Sequence, residues 1–124
     1  MIRGLCLTAS ALVLLAAPAF AQQDKCGPAP TAPVVPKGKD ATVQQLNSTA
    51  TDIKAYVKSS DDWQVCLKTD LDAQMAAAKD SKQPFDNKIK VAIEAKGDAN
   101  QKDKERVGKE YATAVADWRK AHPK

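Results

Sequence analysis

Residues 40–80 contain neither proline nor glycine, whereas the fourteen residues before them, 26–39, carry Pro28, Pro30, Pro33 and Pro36. Proline lacks the backbone N–H and clashes with the preceding turn, so the earlier segment is closed to helix while the later one is open to it. Pro30, Pro33 and Pro36 recur every third residue, the period of a polyproline II helix, and so share one face of it. A flexible linker of the same composition is the competing reading.

The N-terminus reads as an export signal. Arg3 precedes an uncharged apolar run, from Leu5 through Ala17, that is too short to cross a bilayer. Pro18 and then Ala19-Phe20-Ala21 offer the small residues a signal peptidase accepts, which predicts a leader over 1–21 and a mature chain starting at Gln22. Cleavage removes Cys6 and leaves Cys26 and Cys66. In an oxidising compartment these pair as one disulfide, since they form neither a Cys-x-x-Cys motif nor part of a metal cluster. The net charge of +4 falls by one with Arg3, leaving a mildly basic chain with a thin core that needs such a staple.

Beyond the strap at 22–39, the spacing predicts an all-α helical hairpin over 40–124, in the manner of a coiled coil. Helix one covers about 40–80, a turn 81–84, and helix two about 85–120. Thr42 and Gln45 have the form of a capping box. Val43, Leu46, Ala50, Ile53, Val57, Leu67, Leu71 and Met75 step by threes and fours. Ser59-Ser60-Asp61-Asp62 interrupts that stripe with poor helix formers, which leaves a kink or a break open there, with one long helix the favoured reading. Pro84 suits the first turn of helix two, whose stripe is Phe85, Ile89, Ile93, Val107, Tyr111, Ala114, Val115 and Trp118. The stripe fades between Glu94 and Arg106, where Gly97 costs on the order of 1 kcal/mol and leaves the continuity of helix two open. Asp98 with Lys102 and Glu105 with Lys109 are spaced to support the helix there.

Folding the chain about the turn sets Leu71 against Ile93, Ile53 against Tyr111 and Leu46 against Trp118. The polar stretch 60–64 then lies opposite 101–105 as a hydrated waist. Length also permits the strap to return along helix one. About 43 Å of polyproline II between Cys26 and Asp40 matches roughly 39 Å of helix between Asp40 and Cys66. A reversal near Gly38 brings Pro30 to Trp63 and Pro33 to Tyr56, so that prolines dock on aromatic rings, an arrangement that resembles the pancreatic polypeptide fold in architecture.

Catalytic chemistry finds no footing. The sole histidine, His122, stands near the C-terminus with no nucleophile to serve, and no His or Cys cluster suits zinc or copper. Asp98, Asn100 and Asp103 suggest a calcium loop, but Lys102 interrupts it and the closing glutamate is missing. Neither a phosphate loop nor a basic and aromatic interleaving for nucleic acid is present. Asn47-Ser48-Thr49 matches a glycosylation acceptor inside a helix, and Trp63 and Trp118 read as core.

With Cys26, the proline series, Ala55-Tyr56-Val57, Cys66-Leu67 and the stretch 100–111, the chain resembles small exported helical proteins of alphaproteobacterial type. That resemblance brings no activity, cofactor or catalytic residue. The expectation is a non-enzymatic periplasmic protein without cofactor, metal or stable membrane insertion, which binds an envelope protein or itself. The alternative is a carrier or sensor of small ligands or cations using Asp61, Asp62, Asp98 and Asp103.

Overall fold

The computed structural model describes residues 25–124; the leader expected over 1–21 and strap residues 22–24 lie outside them. Among the described residues a 3-10 turn at Gly38–Asp40 leads into helix α1, Val43–Asp80, and helix α2, Asn87–Ala121 follows, with no strand. The two helices form an antiparallel hairpin, and α1 is roughly 57 Å long at about 1.5 Å per residue.

Thr42 caps α1 as its spacing predicts. The Gln45 N–H donates to Thr42 Oγ1 at 3.1 Å, and the Thr42 N–H donates to Gln45 Oε1 at 2.8 Å. The helix runs unbroken through 59–62. Serine is a poor helix former because its hydroxyl competes for nearby backbone groups, but the Ser60 hydroxyl is engaged across the hairpin instead. At the far end Gln83 N–H donates to Ala78 O at 2.9 Å and Lys82 N–H to Lys79 O at 3.0 Å, the paired bonds of a Schellman ending. Lys82 takes the left-handed conformation there, with φ 55°. Pro84 therefore follows the stop of α1 and does not open α2; the second helix starts later than Phe85, where the Asp86 side chain accepts from the Lys88 N–H at 2.9 Å. Helix α2 is continuous through Gly97.

The seam differs in membership from the apolar stripe. On α1 the buried side chains are Leu46, Thr49, Tyr56, Ser60, Trp63, Leu67 and Leu71. Ala50 and Val57 are only half-buried, and Val43 and Met75 are 53% and 42% exposed. On α2 the inward positions are Ile93, Gly97, Asn100, Lys104, Val107, Tyr111, Ala114 and Trp118, alternating steps of four and three without a gap. The stripe that fades between 94 and 106 thus continues with polar members.

The strap closes one side of the groove between the helices. Cys26 and Cys66 are disulfide-bonded with Cα atoms 5.7 Å apart. Gly27, at φ 68°, turns its carbonyl to accept a 3.1 Å hydrogen bond from Trp63 Nε1. Outward residues recur by threes, Thr31, Val34 and Lys37 being exposed, while Pro30, Pro33 and Pro36 are half-buried. At its other end the strap touches α2, where Gly38 is pressed on the Ala114 backbone. Ala41, Leu46 and Ala114 form a buried cluster there, packed by Val35, Tyr111 and Trp118, and the Tyr111 hydroxyl donates to Leu46 O at 3.1 Å.

Two glycine substitutions should have opposite signs. A Cβ at Gly38 would fall 1.9 Å from the Ala114 carbonyl oxygen, so Gly38→Ala should lower stability by about 1–3 kcal/mol in a urea melt. A Cβ at Gly97 meets nothing within 4 Å, so Gly97→Ala should raise stability by about 1 kcal/mol.

Candidate functional site

At mid-rod the two polar interruptions meet and make a buried network. Asn100 Nδ2 donates to Ser60 Oγ at 3.1 Å, and Gln64 Nε2 donates to Asn100 Oδ1 at 2.9 Å while lying 3.5 Å from the Gly97 carbonyl. Ser60 is 0% exposed and Asn100 4%. The waist is therefore closed by side-chain hydrogen bonds at its centre, in place of the hydrated gap the sequence suggested. Seen from either helix, slippage by one residue would bury these groups without partners, so the network sets register. Lys104, with its side chain 13% exposed, reaches across to Asp61 and seals one flank.

The acidic residues named for a cation site are engaged elsewhere or exposed. Asp61 binds Lys104, Asp62 binds Lys58 at 2.7 Å, and Asp103 binds Arg106 at 3.1 Å. The hydrogen bond that Lys58 donates to Asp62, reinforced by the carboxylate's charge, holds the Lys58 ammonium above its ordinary pKa. Glu110 and then Asp103 do the same for Arg106. Asp98 is exposed, and its expected pairing with Lys102 is not among the ion pairs; Glu105 accepts from Gln101 at 3.0 Å and does not pair with Lys109. Among the described residues no group of three or more His, Cys, Asp and Glu side chains is placed to hold a metal ion. His122 closes α2 by stacking on Trp118, with ring centroids 4.7 Å apart.

The strap-docking residues divide. Pro30 and Trp63 line one cleft of about 340 Å³, together with Lys96, Ala99 and Asn100 of α2. Pro36 lies beside Arg106, Glu110 and Ala114 of α2, along a cleft of about 430 Å³. Pro33 is half-buried, and Tyr56 is 5% exposed with a hydroxyl that finds no partner. The strap thus lies over the groove and touches both helices, where the length argument considered helix one alone. The sequence marked Gly38 as the reversal, Ser60 and Gln64 as part of a polar waist and Asn100 as part of a calcium-like loop, but it did not join Ser60, Gln64 and Asn100 as one buried network; the signal for Asn100 was the unbroken step of threes and fours through polar residues.

Comparison with protein-family models, curated proteins and solved structures returns no match.

Two measurements probe the site. Cys66→Ser opens a ring of sequence separation 40 and should cost about 3–4 kcal/mol of stability, read as a lower Tm; an unchanged melt would show an undocked strap. Asn100→Ala should cost about 1–3 kcal/mol by stranding Ser60 and Gln64, and a double-mutant cycle with Ser60→Ala should be markedly non-additive.

Proposed function

We propose that this chain is a non-enzymatic helical protein of the periplasm that binds another envelope component through an outer helix face. The supporting observation is the rod: two continuous helices whose register is set by the Ser60, Gln64 and Asn100 network and whose strap is covalently tied at Cys66. A surface held in one shape loses little conformational freedom on binding, which suits an adaptor or scaffold. Export by a leader cleaved after Ala21 accords with the disulfide, which persists in an oxidising compartment. The kinship with small exported helical proteins of alphaproteobacterial type, and a coiled-coil description of the seam, belong to the same reading.

A cation or small-ligand carrier is disfavoured, because three of the four waist carboxylates are already paired with Lys58, Lys104 and Arg106. Cross-linking in intact cells, followed by mass spectrometry of what is attached, should recover a reproducible envelope protein. Recovery of the chain alone would count against an envelope partner. Calorimetry with calcium, magnesium and lanthanide ions should give no binding heat; saturable heat would restore the carrier reading.

A further inference from the structure

The strap covers one side of the interhelical groove, and the side facing away from it is open toward the α1–α2 connection. A cleft of about 460 Å³ lies there, floored by Leu67 and Leu71 and walled by Met75 and Ile93. Met75 is 42% exposed, whereas Leu67 and Leu71 are 4% and 8% exposed. Four charges line the same cleft. Lys68 pairs with Asp72 along α1 at 2.8 Å, and Lys90 with Glu94 along α2 at 3.8 Å.

Their arrangement across the groove follows from the hairpin register. Gln64 meets Gly97 and Asn100, and Asp61 meets Lys104, one turn and two turns away from this rim. Carried along the antiparallel helices, that register sets Lys68 opposite Glu94 and Asp72 opposite Lys90. The rim is an alternating square of two cations and two anions with no net charge.

We propose that the occupant of this groove is a second copy of the chain, seated face to face by a twofold axis. With the axis along the helices, Lys68 of each copy comes over Glu94 of the other, and Asp72 over Lys90. With the axis across the helices, Lys68 comes over Asp72 and Lys90 over Glu94. Every charge meets its opposite in either case, as an isologous interface requires. A strip of single-sign charge would be repelled by half the rim. Leu67 and Leu71 are already buried in the single copy, so Met75 and the half-buried Ile93 supply the apolar attraction, and the rim selects partner and orientation more than it adds affinity. The product is a four-helix rod with both straps facing outward. With so little exposed apolar surface on the patch the association should be weak, with a dissociation constant in the micromolar range, on the order of 1–100 μM.

The proposal is independent of the envelope-component reading, and its test needs only the purified, oxidised protein. Sedimentation equilibrium should show a concentration-dependent dimer. Lys68→Glu with Lys90→Glu makes the rim wholly acidic, and Asp72→Lys with Glu94→Lys makes it wholly basic. Each variant alone should be monomeric with unchanged helical circular dichroism, and an equimolar mixture should dimerise again. A wild-type monomer throughout the micromolar range, a dimer indifferent to both rim reversals, or a mixture that stays monomeric would each overturn it. So would a monomer whose groove takes up a small apolar probe. None of these outcomes bears on the cellular cross-links.

Discussion

Two helices laid side by side touch along a line and cannot enclose a core; a third element must fill the furrow between them. In this chain that element is thinner than a helix. An extended proline-rich segment uses fewer residues per unit length than a helix and has no internal hydrogen bonds to maintain. Its half-buried prolines lie toward the helices while Thr31, Val34 and Lys37 point away. Both of its ends are held, one by the Cys26–Cys66 bond and one by the close approach of Gly38 to Ala114. The small cluster of Ala41, Leu46 and Ala114 exists because that approach brings the three layers together.

Much of this was legible in the residues. The Thr42 and Gln45 box, the disulfide, and a strap whose length equals the helix it returns along are local or metric facts, and they transfer directly into the fold. What escaped was the part of the seam that is not apolar. Asn100 and Ser60 occupy core positions by spacing, but a search for hydrophobic periodicity passes over them, and only the other helix shows why they are tolerated. The form of the α1 ending, though not its place at Asp80, escaped for a different reason: Lys82 stands where glycine usually marks a left-handed cap, so the Schellman ending had no glycine to announce it. The reach of the strap to α2 is a tertiary fact that no length argument along one helix contains.

The polar centre changes how the rod should be regarded. An all-apolar seam would slide by a heptad at little loss, since Leu against Ile differs little from Leu against Val. A seam with Ser60, Gln64 and Asn100 in register has one arrangement in which their amides and hydroxyl are satisfied. Lys104, nearly buried against Asp61, adds a second constraint of the same kind on the neighbouring turn. Specificity of alignment is thereby added to an apolar burial that runs along the seam, from Leu46 through Tyr56, Val107 and Trp63 to Leu67 and Leu71.

The disulfide also decides how the molecule transmits force. It joins the strap to α1 at Cys66, near the middle of that helix, and not at the tip where α1 begins. Tension applied upstream of Cys26 would enter α1 at the polar waist and bypass the whole loop between the two cysteines. The first six turns of α1 and the free-end cluster would carry no load. A tether anchored at the N-terminal side would therefore hold the rod like a beam balanced on a central pivot, with the connection at one end and the C-terminus at the other both free to swing.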